Sequence, residues 1–438
     1  MVDIQFFELD TLSATDRHRI MRRAETDISE ILPSTQKVID DVRDNGDAAV
    51  VKYARKWDSE NFQASMLRAT PEDFARAREN LSPEIIAAIE EAHENILKFH
   101  EEQLPEKMWF TEVKPGIMAG EKVTPIASVA CYVPRGKGAF PSVMLMLATP
   151  AVVAGVPRTI VVTPPTPEGK ADDASLVAAE IAGIDEVYAV GGIQAIAALA
   201  YGTESIPKVD KVIGPGNQYV SAAKRLLYGT FDVGLPAGPS ESIILTDENV
   251  DPRLAALDLL VEAEHGPDSA AVLVTHSREV AEKVREILPD YIAELPTWRQ
   301  EFVKSVLSNY GGIMLTGSLE ESIGFVNDYA PEHLEVLVKD PFVALNKINN
   351  AGEILLGDYT PIPTGNYAIG VNAILPTGGF ARTFSAVSVW DFLKRSSIAY
   401  LSREGYQHLE GHVQRLADYE GFPAHANAIR IRNQILDV

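Results

Sequence analysis

From Lys122 onward the sequence alternates short β-rich runs with stretches of helical period, and this alternation limits the fold more than any other feature. The runs IASVACYV, RTIVVTP, EVYAVGG and KVIGPG are separated by predicted helices over residues 141–153, 174–182 and 193–201. Strands joined through helices pair in parallel, because a tight turn can join only antiparallel neighbours. A second series follows, SIILTD, AAVLVTHS, GGIMLTG, LEVLV and GEILLG, with helices predicted over residues 252–264 and 278–288. The expectation is an α/β protein with two such units.

The first hundred residues read differently. Helical period is predicted over residues 16–31, 35–57 and 71–100, with no strand-like run between them. After Leu401 the chain turns helical and polar again, as a small tail. The stretch PAGP at Pro236–Pro239 is the best joint between units. No fixed-period repeat argues for a solenoid.

Charge and cysteine usage then narrow the function classes. With 62 acidic against 39 basic side chains, the net charge of −23 repels polyanions, so neither nucleic acid nor an anionic membrane is an expected partner. Cys131 is the only cysteine, which rules out an intrachain disulfide and a cysteine-built zinc site. A cytoplasmic location is expected, with no leader in MVDIQFFELD and no run of eighteen apolar residues.

Three of the nine histidines have chemical company. In VEAEHGPDS, Glu262 and His265 lie three apart, so a helix would put both on one face, where they could hold a metal ion. The same residues also read as an ordinary helix end, with Gly266 stopping it and His265 complementing the dipole. In YAPEHLEVLV, Glu332 and His333 stand at the entrance of a strand, as a pair of proton-transfer groups or as a polar loop. His425 follows Gly421 and Pro423 in the tail, five residues after Glu420. The turn IGPGN at 213–217 could offer backbone N–H groups to a phosphate, or be a tight turn only. Arg135 and Lys137 sit in the glycine-rich loop YVPRGKGAFPS, which suits an anionic ligand.

Taken together, DNGDAAVVKYARKWD, YVPRGKGAFPSVMLMLATPA, VGGIQAIAALAYGT, VIGPGNQYV, AGPSES, AEHGPDS, YAPEHLE, GNYAIGVNAILPTGG and EGFPAHANA resemble the histidinol dehydrogenase family, in order and over nearly the whole chain. The resemblance implies two incomplete Rossmann-like domains with small helical N- and C-terminal segments, in an intertwined homodimer. The implied division is 1–27 as an N-terminal segment, 28–131 with 240–387 as a zinc and substrate domain, 132–239 as an NAD-binding domain, and 388–438 as a dimerisation segment. It further implies oxidation of a primary alcohol through an aldehyde to a carboxylate, with one zinc ion per subunit and two NAD consumed per substrate.

Carried over residue by residue, the zinc ligands match Glu262, His265, Asn366 and a partner-supplied histidine matching His425. The acid and base match Glu332 and His333, the dinucleotide contacts Tyr132, Gln194 and Asn217, and the substrate contacts Ser240 and Glu420. The chain departs from the family pattern at four of its positions. Glu262 replaces the Gln of QAEHG and Asn366 the Asp of GDY, which moves one negative charge across the site and keeps the total. Ala373 stands where the family's NHVLPT carries histidine, and Arg135 where YVPGG carries glycine. A lost polar partner and a gained cation lead us to expect an anionic alcohol, with Arg135 as a substrate contact. The branch of the family that oxidises (R)-2,3-dihydroxypropane-1-sulfonate to (R)-3-sulfolactate fits that expectation, with L-histidinol as the alternative and a non-catalytic metal or nucleotide binder as a third reading.

Overall fold

The computed structural model describes residues 3–23, 28–135 and 138–436, so Lys137 lies outside the described residues. In chain order the strands are β1 (Phe6–Glu8), β2 (Met108–Lys114), β3 (Ile117–Pro125), β4 (Ser128–Tyr132), β5 (Arg158–Thr163), β6 (Val187–Ala189) and β7 (Lys211–Ile213). They continue with β8 (Glu241–Thr246), β9 (Ala270–Thr275), β10 (Gly312–Leu315), β11 (His333–Leu337), β12 (Glu353–Leu356) and β13 (Leu393–Leu401).

The chain forms two compact units: Met1–Gln103 with Ile126–Phe392, and Leu104–Pro125 with Leu393–Val438. The larger unit carries two all-parallel sheets, as the alternation of runs and helices predicts. One has the order β6-β5-β4-β7, the other β1-β10-β9-β8-β11-β12. In the six-stranded sheet successive side chains face opposite layers. Ala271 and Leu273 join one apolar cluster with the helices Pro252–Val261, Arg278–Glu294 and Thr297–Asn309. Val272 and Val274 join the other, against the helix Leu319–Tyr329 and Ile20 of the helix Ala14–Arg22.

Helix starts follow local chemistry. Ser13, Thr70, Ser82, Asp172, Asn217, Asp251, Ser277, Ser318 and Ser402 each accept a backbone N–H of their own first turn. Ser82 and Pro83 start a new helix, Pro83–Glu101, so the predicted helix over 71–100 is two, the first being Pro71–Asn80. The helix Leu32–Trp57 turns at Gly46, whose φ is +54°.

Four strands escaped the sequence reading, β1, β2, β3 and β13. β1 is a three-residue edge strand, with Phe6 opposite Ile313, too short to show a period. β2 and β3 form an antiparallel sheet with β13, in the order β13-β3-β2, within the smaller unit. Every residue of β2 is exposed, so no polar-apolar alternation marks it. Residues 104–125 therefore pair with the C-terminal segment, where the sequence reading had placed them in the 28–131 portion of the substrate domain. No described helix is long and apolar enough to cross a membrane.

The start of the helix Pro71–Asn80 gives a direct stability test. Asp73 accepts from the Thr70 N–H at 3.0 Å and lies 2.5 Å from Arg76 Nη1. Burial alone would raise its carboxyl, but the Thr70 and Arg76 bonds outweigh it and hold the group well below the usual carboxylate range. A folded-state pKa below the unfolded one gives stabilisation that is present at neutral pH and is lost as pH falls through the folded value. Asp73→Asn is expected to lower the unfolding free energy at pH 7 by about 1 kcal/mol, with the gap narrowing below about pH 4. Urea denaturation at the two pH values checks this, and equal midpoints at pH 7 would contradict it.

Candidate active site

The functional side chains gather where the carboxyl ends of the four-stranded sheet meet the amino ends of the six-stranded one. Gly216 and Asn217, which follow β7, share a cavity of about 980 Å³ with Pro236–Pro239 and Glu241, which lead into β8. In the four-stranded sheet β4 has β5 on one side and β7 on the other, so the chain leaves in opposite directions from adjacent strand ends. A crevice at such a point is where open parallel sheets take ligands. Gly214 is required there: its φ is +131°, and a Cβ would lie 2.1 Å from the Tyr132 carbonyl oxygen.

Tyr132, Gln194 and Asn217 all belong to these carboxyl-end loops and the helices they open. The Tyr132 hydroxyl accepts the Gly192 N–H at 3.0 Å, and Gln194, two residues on, donates to Asp58 at 3.4 Å. Asn217 caps the helix Gln218–Leu227 by accepting the N–H groups of Tyr219 and Val220. Lys224 on that helix donates to the Gly214 carbonyl at 2.6 Å, and burial lowers its ammonium to about 8. Arg135, just beyond β4, acts on Asp58 and Glu168. Burial pushes Asp58 up to about 6, against the pull of Arg135. The guanidinium is thus on the Gln194 side.

Ser240, Glu262, His265, Glu332, His333 and Asn366 come together at the amino ends of β8 and β11. The helix Pro252–Val261 tightens into a 3₁₀ turn at Glu262–Glu264, where residues three apart eclipse. That turn brings His265 Nδ1 within 3.0 Å of Glu262 Oε2, with the Glu262 side chain wholly buried and His265 45% exposed. His265 Nδ1 also lies 2.9 Å from Ser240 Oγ, and Asn366 Nδ2 donates to Glu262 Oε1 at 3.1 Å. His333 Nε2 stands 4.0 Å from Glu262 Oε1 and 3.9 Å from Glu332 Oε1. Glu332 is anchored through its other oxygen, which accepts the Glu241 N–H at 2.8 Å.

The electrostatics follow from this crowding. Burial would raise Glu262, but the imidazoles of His265 and His333 and the Asn366 amide bring it down to about 2. Burial pushes Glu332 up to about 8, helped by the carboxylates of Glu262 and Glu241. Burial would depress His333, yet Glu262, the bonded Glu353 and Glu332 raise it to about 10.

Glu262 and His265 fit a divalent cation. Glu262 Oε2 is buried without a hydrogen-bond donor although it points at an imidazole nitrogen, and the amide that donates to Oε1 keeps its own oxygen available. Among the described residues no group of three or more His, Cys, Asp and Glu is arranged to hold a metal. The larger unit therefore supplies two such donors and an amide, short of a closed tetrahedral set. His425 and Glu420 belong to the smaller unit. There Glu420 ends the helix Arg403–Tyr419, and His425 lies exposed in the first turn of Pro423–Leu436, its ring 5.2 Å from Phe422.

Two residues of the site escaped the sequence reading. Glu353 Oε2 lies 2.8 Å from His333 Nδ1, a contact made by strand register, since His333 stands opposite Glu353 across β11 and β12. Arg23 binds Glu241 through Nε at 3.3 Å, donates to the Tyr329 carbonyl, and lies 3.8 Å above the Tyr329 ring. Neither carries a local motif, because each acts through a partner remote in sequence. Arg23 and Ala330 both adopt positive φ, at 58° and 53°, which this contact holds in place. Removal of the arginine leaves Glu241 buried and unpaired. Arg23→Met is expected to cost roughly 3 kcal/mol at pH 8; a urea midpoint equal to that of the parent protein would refute the link.

The whole arrangement has counterparts in known proteins. A family model described as Histidinol dehydrogenase matches residues 21–433. The chain is 56% identical over 432 residues to Histidinol dehydrogenase of Synechocystis sp., covering 99% of this chain and 100% of the relative. It is 50% identical over 438 residues to Histidinol dehydrogenase homolog 2 of Mesorhizobium japonicum, covering all of both. The crystal structure of histidinol dehydrogenase from Elizabethkingia anophelis superposes with a TM-score of 0.93 at 32% identity, over 99% of each chain.

Proposed function

Because the chain belongs to the histidinol dehydrogenase family, we propose that it oxidises a small primary alcohol to the carboxylate in two NAD-dependent steps, and that the alcohol is a cationic amino alcohol of the histidinol kind. The observation that carries this reading is the buried group of Glu241, Glu262, Glu332 and Glu353 around His333. By charge the group is close to balanced, with Glu241 against Arg23 and Glu262 against His265 and His333, so it supports the proton-transfer part of the reading, while the amino alcohol rests on the similarity to a relative named Histidinol dehydrogenase. Arg135, the cation that suggested an anionic substrate, acts on Asp58 and Glu168 instead. Relatives named Histidinol dehydrogenase support histidinol, while others at 50–52% identity are named only as its homologs.

In this reading Tyr132, Gln194 and Asn217 hold the dinucleotide in the crevice at the carboxyl ends of β4 and β7. Ser240 holds the substrate beside His265. His333 takes the hydroxyl proton at Nε2 while hydride passes from the same carbon to the nicotinamide. Glu332 draws the proton from the water that attacks the aldehyde, and the second hydride then leaves. Both groups are raised above their ordinary values, so their proton-accepting forms grow as pH rises above neutral. Glu262, His265 and Asn366 would hold zinc with the partner subunit's His425, and Glu420 would reach the substrate from the same segment. Bound zinc supplies a Lewis acid that makes the hydroxyl easier to ionise. The dimer reading is supported by the exposed apolar side chains Met108, Trp109, Phe110 and Val113 of β2 and Tyr419 and Phe422 of the tail, which a partner subunit could cover.

Oxidation of (R)-2,3-dihydroxypropane-1-sulfonate is the second reading. It is favoured by Ala373, half-buried where the family's histidine would stand, and by the exchange that put a carboxylate at 262 and an amide at 366. Coupled NADH assays with both alcohols decide between them: histidinol is expected to give the higher kcat/KM, and a larger value for the sulfonated diol reverses the assignment. Glu262→Ala is expected to lose bound zinc by elemental analysis together with at least 100-fold of kcat, on the order of what positioned catalytic groups contribute. Full zinc occupancy in that variant would remove Glu262 from the ligand set.

A further inference from the structure

We propose that Glu353 is a positioning residue for proton transfer, fixing the His333 imidazole with Nδ1 as the hydrogen-bearing nitrogen and Nε2 as the one that exchanges a proton with substrate. This rests on the role given to His333 above.

The geometry for it is built into the sheet. β11 and β12 run parallel, His333 stands opposite Glu353, and the carboxylate meets Nδ1 at 2.8 Å. Both side chains are shut from water, at 4% and 5% exposure, so the bond has no competing solvent. In the neutral ring, Nδ1–H committed to Glu353 leaves the other nitrogen, which faces Glu262 and Glu332, as the one that takes up and releases the proton. A carboxylate behind an imidazole also orients the ring and stabilises the cation formed when the ring takes a proton.

Gly365 supports the same assignment independently. A Cβ there would come within 2.5 Å of Glu353 Oε1, so the turn that carries Asn366 closes over the carboxylate only because residue 365 lacks a side chain. Glu353 is thereby wedged between β11 and the helix Ile362–Tyr367. Its Oε1 is buried without a hydrogen-bond partner, which leaves Oε2 and His333 as the interaction that holds the group.

The test compares Glu353→Ala, Glu353→Gln and Gly365→Ala with the parent enzyme, all loaded with zinc. Glu353→Ala is expected to lower kcat roughly 10- to 100-fold, with KM for alcohol and for NAD within about threefold. Glu353→Gln keeps an acceptor for Nδ1–H and should recover part of the loss. Gly365→Ala, which leaves the carboxylate and displaces it, should fall on the same side as Glu353→Ala. Long-range ¹H–¹⁵N spectra of the neutral His333 ring supply a readout independent of turnover: the Nδ1–H tautomer in the parent, and a shift toward Nε2–H in Glu353→Ala. An Nε2–H tautomer in the parent, or a Glu353→Ala enzyme with unchanged kcat, overturns the proposal. If neither alcohol is turned over but the tautomer shifts as stated, the substrate assignment fails and the role of Glu353 stands.

Discussion

Everything at the site depends on keeping several carboxyl groups in a dry, narrow volume. Four glutamates approach one imidazole, and like charges at such range cannot all remain ionised in low dielectric. The protein resolves this in three ways. His265 and Asn366 compensate Glu262; Arg23 stands against Glu241; and Glu332 is pushed toward its neutral form. The resulting spread, from about 2 for Glu262 to about 8 for Glu332, gives chemically identical side chains different work. One stays an anion that attracts cations, while the other holds a proton within 4 Å of the group meant to exchange it.

The two parallel sheets meet end to end, so the loops best suited to a dinucleotide face the strand entrances that carry proton-transfer groups. The cavity between them is lined from both sides, by Gly216 and Asn217 on one and by Glu241 and Thr377 on the other. Each of β4 and β8 has neighbouring strands on both sides in its own sheet. The chemistry is then placed on rigid strand ends and first turns, with the variable parts of the loops left free to set the substrate.

The α/β class, most helix positions and the Glu262–His265 and Glu332–His333 pairs were legible because each is a contiguous signal. A period, a cap or a three-residue spacing is written locally. Glu353 and Arg23 were illegible for the opposite reason. Glu353 sits in GEILLG, which reads as an apolar strand, and its meaning comes only from the register that sets it against a residue twenty positions earlier. Arg23 reads as a surface charge at a helix end until the fold brings Tyr329 and Glu241 to it. Arg135 is a different case: its loop is a contiguous signal, but a cation in a glycine-rich loop does not disclose which carboxylates feel its charge, and those of Asp58 and Glu168 do.

The placement of Arg23 has a consequence for biosynthesis. The segment carrying β1 and Arg23 is the first of this sequence to be translated, yet its partners are β10, Glu241, Tyr329 and Ala330. Contacts of such long sequence separation form late, after the costs of closing large loops have been met. The opening residues must therefore wait, undocked, while some three hundred more are made. Until then the Glu241 carboxyl group lacks the guanidinium that stands beside it in the folded protein.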